Sequence, residues 1–434
     1  MRGVFGRWSG AVAALLLATP NVSATWSIIL VDHQSKEVAI GSATCLLDFN
    51  LRRYLPVVRV DQGAAAAQSF IDLTGQNRVL IWDELQAGTD PAAMLDLLEA
   101  QDDDHQTRQY GIVDTQGRAV TFSGTDNGAY ANGVTGSIGS IVYAIQGNVI
   151  TGQPVIDAAE AAVLETPGAI PEKLMAAMEA AYAMGGDGRC SCSNADPTGC
   201  GAPPPTFEKS AHCGFMIVTR RGDIDGTCNG GSLPCANGTY YLALNISFQL
   251  EDDPDPVLQL RDQFDAWRSE LVGTPDAVES TATLLDDDRV LNDGAVRTLR
   301  IQVNDWQSLP VASATALSVS HEADSAGAST IGAVVDLGGG AYEIALTADA
   351  ALGVDRFAVQ VTDSLGVVRH LIPSPRLLVQ DAAADFNDDG VVDLSDLGVQ
   401  LANWGGAGDG DIDGDGDIDL SDLGAMLLNF QPGF

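Results

Sequence analysis

Two twelve-residue stretches near the end of the chain, 385–396 and 411–422, carry oxygen-bearing side chains at a spacing that suits a calcium ion. Donors fall at loop positions 1, 3, 5, 9 and 12, a backbone carbonyl is available at position 7, and glycine at position 6 permits a sharp turn. Calcium is a hard cation and prefers a shell made only of oxygens. The predicted ligands are Asp385, Asn387, Asp389, Val391, Asp393 and Asp396 in the first site, and Asp411, Asp413, Asp415, Asp417, Asp419 and Asp422 in the second.

Each loop ends in the hexapeptide Asp-Leu-Ser-Asp-Leu-Gly, and one helix is predicted after each loop, over 394–404 and 420–430. Position 12 is Asp, where ordinary EF-hands carry a bidentate Glu. Paired loops with one helix apiece resemble a type I dockerin, the module that docks onto a cohesin domain. The resemblance implies two Ca²⁺ ions, a small helical module over 381–434 and a cohesin-like or cell-surface partner. Leu-Ser at positions 10 and 11 of both loops suggests a near-twofold docking surface. The simpler alternative to a calcium-binding module is that segment 381–434 is an acidic disordered tail.

The beginning of the chain suggests a second kind of chemistry. Arg2 and Arg7, a short apolar core and the small residues Val22-Ser23-Ala24 predict a signal peptide over 1–24, and therefore an extracellular or cell-surface location. Cleavage would expose Thr25. A free α-amine has a pKa of about 7.7–8.0, so a Thr at the new terminus could attack a carbonyl with its own amine as the base. The alternative is that Thr25 only begins an edge strand.

The charge balance excludes two classes of partner. The 434 residues contain 22 Lys and Arg against 59 Asp and Glu, a formal net charge of −37. Such a chain is a poor match for nucleic acid or for an anionic membrane. Segment 381–434 holds thirteen Asp and no Lys, Arg or Glu, so part of the excess belongs to the predicted calcium ligands. No stretch after the signal peptide has the length of a membrane span.

Cysteine usage agrees with export to an oxidising compartment. Six of the seven cysteines crowd into one region, and Cys45 stands apart as a predicted core residue. Six cysteines allow fifteen pairings, and the sequence does not choose among them. A zinc site built from Cys190-x-Cys192 and His212-Cys213 is an alternative, although its spacing matches no standard zinc pattern. The clustered cysteines are Cys190, Cys192, Cys200, Cys213, Cys228 and Cys235.

Strand pairs, a helix pair and further strands predict an α+β domain over 25–273 rather than a βαβ alternation. The helices over 154–164 and 171–184 each begin with a proline in the first turn. A cysteine-rich insertion is predicted at about 188–208. From 275 to 380 the chain turns to short β-like runs, which predict a β-sandwich. This part resembles the immunoglobulin-like modules of bacterial surface proteins, loosely of invasin type, and its expected role is that of a spacer.

Several segments of the α+β part resemble a bacterial family of unknown function, numbered 1028, that is grouped with the N-terminal-nucleophile hydrolases. The resemblance covers roughly 25–273 and implies a four-layer αββα sandwich with Thr25 as the nucleophile. Gln68, Gln146 and Asn148 are amide donors of a type that could hold the oxyanion, or that could simply cap strand ends. The strand end Ala43-Thr44-Cys45 departs from the family, because other members often carry Arg or Lys there. The segments that carry the resemblance are Thr25-Trp-Ser-Ile, Val38-Ala-Ile-Gly-Ser-Ala, Gly63-Ala-Ala-Ala-Ala-Gln, Gln109-Tyr-Gly-Ile-Val-Asp-Thr-Gln-Gly, Tyr143-Ala-Ile-Gln-Gly-Asn and Asp253-Pro-Asp-Pro-Val.

Together these features favour an exported, amidase-like hydrolase of the N-terminal-nucleophile type, tethered by a calcium-dependent module. Its substrate would be an amide of unknown identity, in a small molecule or a peptide. One alternative is a non-catalytic extracellular binding or structural protein that docks to a cohesin-type partner. Another is a component of a polysaccharide-degrading assembly, although the sequence shows no placed pair of carboxylates of the kind that glycosidases require.

Overall fold

The structure is a computed structural model, and it describes residues 25–312, 316–406 and 408–430. The predicted signal peptide lies outside the described residues. The strands of the N-terminal unit are β1 (Thr25–Asp32), β2 (Val38–Thr44), β3 (Pro56–Arg59), β4 (Gly63–Ser69), β5 (Arg108–Asp114), β6 (Ala119–Ser123), β7 (Ala131–Ile138), β8 (Ile141–Asn148), β9 (Cys213–Thr219) and β10 (Leu242–Ile246). Its helices are α1 (Leu51–Tyr54), α2 (Gln76–Ala87), α3 (Pro91–Gln101), α4 (Pro154–Glu165), α5 (Ile170–Ala183), α6 (Gly188–Ser191) and α7 (Pro256–Glu270).

Two antiparallel sheets form the centre of this unit. The larger sheet has the order β10-β9-β2-β1-β8-β7, and the smaller has the order β3-β4-β5-β6. Alternate residues of β1 face opposite sides, as the pleat requires. Ile28 and Leu30 pack into a core with α4, α5 and α7, whereas Ile29 and Val31 pack into the space between the sheets. A third apolar cluster joins α2 and α3 to the outer face of the smaller sheet. Helices therefore cover the outer faces of both sheets.

Local sequence explains where the longer helices begin. Asp90 and Asp255 precede α3 and α7, and each carboxylate accepts a hydrogen bond from a backbone amide in the first turn. Proline occupies the first turn of α3, α4, α5 and α7, where the missing N–H costs no hydrogen bond. Helix α2 has no such side-chain cap and begins after Gly75 at a φ of 70°.

Residues 281–380 form a sandwich of two sheets over one apolar core. Its strands are β11 (Thr281–Leu284), β12 (Arg289–Leu291), β13 (Val296–Gln302), β14 (Ala316–His321), β15 (Ser329–Ile331), β16 (Val335–Gly338), β17 (Ala341–Ala348), β18 (Gly353–Thr362), β19 (Val368–His370) and β20 (Arg376–Gln380). One sheet is ordered β11-β13-β17-β15 and the other β12-β20-β18-β14, with β16 on β17 and β19 on β18. Alternating residues such as Ile344 on β17 and Val359 on β18 meet in the core.

A buried charged cluster joins the N-terminal unit to the chain leading into the sandwich. The Arg220 guanidinium donates to Glu37 Oε1 at 2.7 Å and to Asp276 Oδ2 at 2.8 Å. Its carbon lies 3.7 Å from the centre of the Tyr241 ring, and the Tyr241 hydroxyl also donates to Asp276 Oδ2. We call these four residues the junction cluster. Nearby, Trp306 Nε1 donates to the backbone oxygen of Arg268 at 3.0 Å, which adds a second contact between the two parts.

The last described segment carries two short helices, α8 (Leu394–Ala402) and α9 (Leu420–Leu427). A small apolar cluster packs Ala384, Val392 and Met426 against Leu291 of the sandwich. Gln380, the last residue of β20, receives a hydrogen bond from Val392 N at 3.0 Å and donates to Val392 O at 2.7 Å. The first acidic loop is thus fastened directly to the end of β20.

The predicted mixed α+β character, with antiparallel sheets, is confirmed for the N-terminal unit. The sequence also predicts a hairpin of residues 110–114 and 119–123 and an amphipathic helix over 91–101, and the structure has both, as strands β5 and β6 and as helix α3. Strands also occupy most of the predicted β-like runs of the sandwich. Assignment to the N-terminal-nucleophile architecture and to a dockerin module stays a prediction.

Candidate active site between the two sheets

The space between the two sheets is apolar at one end and polar at the other. Strands β1 and β2 show the change most clearly, because Ile29 and Ile40 line the apolar part whereas Ser27 and Ser42 line the polar part. Ser27 Oγ lies 2.9 Å from Ser42 Oγ. Since every second residue of a strand faces the same side, Thr25 continues the polar row of β1. The start of the central strand therefore lies at the polar end of the space.

Strand register places two predicted site residues beside each other. Thr25 pairs with Asn148 of β8 on one side, and Trp26 pairs with Ala43 of β2 on the other, so that Thr44 lies next to Thr25. Thr25 Oγ1 donates to Thr44 Oγ1 at 3.3 Å. Asn148 Nδ2 donates to Ser69 Oγ on the smaller sheet at 3.1 Å. Thr25, Thr44 and Asn148 are all buried in the full chain.

Gln68 holds the backbone of Thr25 rather than presenting a free amide. Its Nε2 donates to Thr25 O at 3.0 Å and to Gln109 Oε1 at 2.7 Å, which uses both of its N–H groups. Its Oε1 accepts a short hydrogen bond from Ser27 Oγ. Gln109 extends the network to Gly147 O at 2.9 Å. Gln68 thus positions the predicted nucleophile, and its donors are already engaged.

Gln146 lies two residues before Asn148, which is the last residue of β8. It pairs with Ser27, whereas Asn148 pairs with Thr25. Its side chain occupies the space above Gly111, where a Cβ would collide with its amide group. Within the described part of the chain, neither of its amide atoms has a hydrogen-bond partner. Of the three predicted amide donors, Asn148 is therefore the one that the register sets beside Thr25.

A cation that sequence reasoning missed lies close to Thr25. Arg189 Nη2 donates to Thr44 Oγ1 at 3.4 Å, and Thr44 in turn accepts from Thr25. Asp187 is fully buried and holds the guanidinium through contacts of 3.1 Å to Nε and 2.8 Å to Nη2. The same carboxylate accepts from Cys45 N at 2.7 Å. A helix of the predicted insertion, α6, thus supplies the positive charge that the strand end 43–45 lacks.

A disulfide fixes this arrangement from a second side. Cys45 is bonded to Cys190, with 5.7 Å between their Cα atoms, so the prediction that Cys45 is an isolated core residue was wrong. The other bridges join Cys192 to Cys200 and Cys228 to Cys235. Cys213, which was grouped with the disulfide cysteines, is instead a buried free thiol whose pKa burial raises to about 12. The zinc ligand set 190, 192, 212 and 213 does not form, because Cys190 and Cys192 belong to two different bridges.

A polar cavity of about 430 Å³ opens beside the disulfide. Its walls include Arg189, Lys209 and His212, together with acidic side chains such as Glu251. Burial, followed by the nearby Lys209 charge, lowers the pKa of His212, so its imidazole is neutral at physiological pH. The volume falls in the range of small-molecule sites. Because Arg189 lines the cavity and also contacts Thr44, the cavity and the polar end of the sheets share one side chain.

The two acidic loops adopt the same local geometry. Gly390 and Gly416, at position 6, have φ angles of 92° and 100°, a region that favours glycine. The position-1 carboxylates, Asp385 and Asp411, each accept a hydrogen bond at 3.0 Å from the amide at position 6. In the second loop, carboxylate oxygens of positions 1, 3 and 5 lie within 4.8 Å of one another. Three of the six predicted donors of the second loop therefore lie close together.

The position-12 carboxylates, Asp396 and Asp422, are fully buried under their loops. Asp396 accepts from Phe386 N at 2.8 Å and from Asp393 N at 2.9 Å, and Asp422 repeats this pattern with its own loop. Each is also the third helical residue of a capping box, with the position-9 Asp as the N-cap. A side chain that closes the loop also starts the helix, so loop and helix form one unit.

Among the described residues, no helix combines the length and the apolar composition that a bilayer crossing needs.

Residues 25–195 match the model of a Family of unknown function (DUF1028), which is less than half of the chain. The crystal structure of protein SPO2555 from Silicibacter pomeroyi, a DUF1028 family model, is 18% identical over 56% of this chain and 89% of that chain, with a TM-score of 0.41. No curated protein matches the chain. The predicted resemblance to this family is thereby supported for the N-terminal unit.

An adhesin and an integrin-binding protein are similar to shorter parts of the chain. The Yersinia pseudotuberculosis adhesin InvE is 21% identical over 24% of this chain and 27% of that chain, with a TM-score of 0.20. Invasin, a bacterial integrin-binding protein, is 14% identical over 40% of this chain and 26% of that chain, with a TM-score of 0.21. Their scores are too low to carry a functional argument.

Proposed function

We propose that the N-terminal unit is an N-terminal-nucleophile hydrolase that cleaves an amide bond, with Thr25 as its nucleophile after removal of residues 1–24. One observation carries the proposal: Thr25 begins the central strand at the polar end of the space between the sheets, beside Thr44 and Asn148. The helix-covered pair of antiparallel sheets is compatible with the αββα sandwich that this class of enzyme requires.

The chemistry follows from the groups around Thr25. The α-amine released by cleavage accepts the hydroxyl proton while Oγ1 attacks the substrate carbonyl, and the oxygen of that carbonyl becomes an oxyanion. Collapse of the tetrahedral intermediate breaks the C–N bond, the leaving amine takes the proton, and an ester on Thr25 remains. Water, activated by the same amine, then hydrolyses the ester. Asn148 lies beside Thr25 in the strand register, and its side-chain amide is a donor of the type that could stabilise the oxyanion.

Arg189 gives the site a fixed positive charge. It reaches Thr25 through Thr44 Oγ1, at 3.4 Å and 3.3 Å for the two successive hydrogen bonds. A nearby cation favours the deprotonated hydroxyl and the neutral amine, which are the reactive forms of nucleophile and base. The adjoining cavity of about 430 Å³ would receive the substrate, and its polar walls favour a polar small molecule or a peptide end.

The identity of the mature terminus tests the proposal before any substrate is known. We expect the exported full-length protein to begin at Thr25 with a free amine, as measured by N-terminal sequencing and intact mass. Periodate cleaves a carbon–carbon bond between an amine and a hydroxyl, a pair that only an N-terminal Thr or Ser offers. The unfolded mature protein should therefore be oxidised, whereas Thr25→Ala should not. A terminus elsewhere, or a blocked one, contradicts the hydrolase proposal.

We also infer that the segment 381–434 binds two Ca²⁺ ions and tethers the protein outside the cell. Support comes from the duplicated loop geometry and from the all-oxygen donor sets described above. The position-10 residues, Leu394 and Leu420, are both 75% exposed, as expected for two equivalent docking contacts with a cohesin-type partner. Bound calcium would neutralise the crowded carboxylates and order both loops.

Calcium is expected to stabilise the C-terminal segment of the full-length protein. At about 100 times its Kd, a ligand specific for the folded state adds about 2.7 kcal/mol of stability per site. The measurement is protease resistance of segment 381–434 as calcium is added, with magnesium as the comparison ion. The double variant Asp385→Ala/Asp411→Ala should lose the protection, while Asp409→Ala, outside both loops, should keep it. Equal protection in all three proteins, or none with calcium, contradicts the inference.

A further inference from the structure

The disulfide beside the cavity and a neighbouring histidine form a group of soft metal ligands. Cys45 follows β2, Cys190 lies in α6, and His212 directly precedes β9. One ligand atom of each residue lies within 4.8 Å of the others. In a tetrahedral site with Zn–S of 2.3 Å and Zn–N of 2.0–2.1 Å, ligand atoms lie about 3.3–3.8 Å apart. Small side-chain rotations would therefore bring the three atoms to bonding distance of one ion.

The cavity offers what such a site needs besides its ligands. His212 is buried, so its imidazole has a fixed environment, and its Nε2 lies 3.5 Å from the carboxylate of Glu251. The Glu251 side chain is 76% exposed. It can complete a tetrahedral shell, or leave that position to water. The Lys209 ammonium, 3.5 Å from His212 Nδ1, is held by the backbone oxygens of Leu250 and Glu251.

We propose that reduction of the Cys45–Cys190 disulfide creates a site for zinc or a similar soft divalent cation, built from both thiolates and His212. Two molecules of a thiol reductant supply the electrons: the S–S bond breaks, two protein thiols form, and the reductant becomes a disulfide. Zinc binding then displaces one proton from each thiol. The pair alternates between a covalent bridge and a metal–thiolate bridge. This proposal does not depend on Thr25 being a nucleophile.

The proposal has a structural consequence for α6. With the disulfide open, Asp187 still contacts Arg189 and Cys45 N, but the covalent link between strand β2 and α6 is gone. A metal held by Cys45 and Cys190 would restore that link. The metal-bound form would thus keep Arg189 in contact with Thr44, as the oxidised form does.

The test uses the full-length chain with Cys192, Cys200, Cys228 and Cys235 changed to Ser, saturated with calcium. After reduction by a phosphine and its removal, zinc is titrated in competition with a chromophoric chelator, and cobalt replaces zinc for spectroscopy. We expect one zinc ion per reduced chain with a Kd below about 1 μM. Cobalt should give a thiolate-to-metal charge-transfer band. His212→Ala should weaken zinc binding at least about 10-fold, and the oxidised protein should give no band.

Three results would overturn the proposal: no charge-transfer band in the reduced protein, the same band after His212→Ala with unchanged affinity, or equal zinc binding by the oxidised chain. If the four substitutions prevent folding, the reduced wild-type chain serves instead. Its charge-transfer band should then fall after Cys45→Ser and persist after Cys228→Ser. The reverse pattern would place the metal at the Cys228–Cys235 pair and reject the site.

Discussion

Replacing Thr25 by Ala is expected to abolish acylation of the mature protein by an activated carbonyl compound such as a β-lactone. Wild-type protein should gain one acyl group, because the hydroxyl at the start of β1 is the proposed nucleophile and its own amine is the base. Removing a nucleophile that acts together with its base lowers the reaction rate by orders of magnitude. We therefore expect the acylation rate to fall at least about 10³-fold. Intact mass, followed over time, measures both rates.

Two further variants make the acylation result specific. Thr25→Ser keeps a hydroxyl beside the amine and should retain acylation, whereas Thr281→Ala removes the Thr that begins β11, far from the site, and should react as wild type. Thermal unfolding of Thr25→Ala should match that of wild type, which separates lost chemistry from lost folding. Acylation of Thr25→Ala at the wild-type rate would place the nucleophile elsewhere and reject the mechanism.

Replacing Arg220 by Met is expected to destabilise the protein by about 3–5 kcal/mol, because the change leaves the carboxylates of the junction cluster buried without their cation. Arg220 and its partners Glu37 and Asp276 are each less than 5% exposed. Urea unfolding followed by tryptophan fluorescence measures the loss.

The destabilisation should depend on pH in a defined direction. Burial opposes ionisation of Asp276, but the charge and hydrogen bond of Arg220 outweigh it and lower the Asp276 pKa to about 2. A carboxyl whose pKa is lower in the folded state adds stability above its unfolded pKa of about 3.9, and loses it as pH falls toward 2. Arg220→Met removes this contribution. Burial already raises the pKa of Glu37, and loss of Arg220 would raise the pKa of both carboxyls, so the buried carboxyls of the variant should take up protons at a higher pH than those of wild type. The gap between variant and wild type should therefore be larger at pH 7 than at pH 2 and should narrow as the pH falls.

Arg221 provides the matched control. Its side chain is half-exposed and pairs with Glu322 at 3.0 Å. A partly exposed ion pair contributes about 0–1 kcal/mol, so Arg221→Met should change stability little at any pH. An equal effect of the two substitutions, or a gap for Arg220→Met that widens as the pH is lowered, would contradict the account of the junction cluster.

Elements with strong local signals could be predicted from the sequence. Helices α3 and α7 each begin with an Asp followed by a Pro, so neighbouring residues alone specify both the N-cap and the first turn. Helix α2, preceded by Gly75, has no such signal and was missed. Strand β7 was also missed because it contains Gly133 and Gly136, which are unusual in strands. Both glycines are required there, since a Cβ would collide with neighbouring side chains, those of Thr121 and Gln146 at Gly133 and of Tyr143 at Gly136.

Some residues of the candidate site could likewise be proposed from the sequence, and others could not. Thr25 and Asn148 could be proposed from the predicted cleavage and from residue type, because each argument is local. The role of Arg189 could not, because its approach to Thr44 depends on a contact across 145 residues. The Cys45–Cys190 bridge spans the same separation, and six clustered cysteines gave no reason to include Cys45. The calcium ligands could be proposed from sequence spacing because all the donors of a loop lie within twelve residues, and their role stays a prediction.

The Gln380 side chain holds the first acidic loop at the end of β20, so a force pulling on the loop would be transmitted to this strand. Strand β20 lies between β12, its parallel neighbour, and β18, its antiparallel neighbour. A pull on residues beyond 380, directed along the strand, would load the hydrogen bonds on both edges side by side rather than one after another. Such shear geometry resists extension better than unzipping does, because several hydrogen bonds must break together.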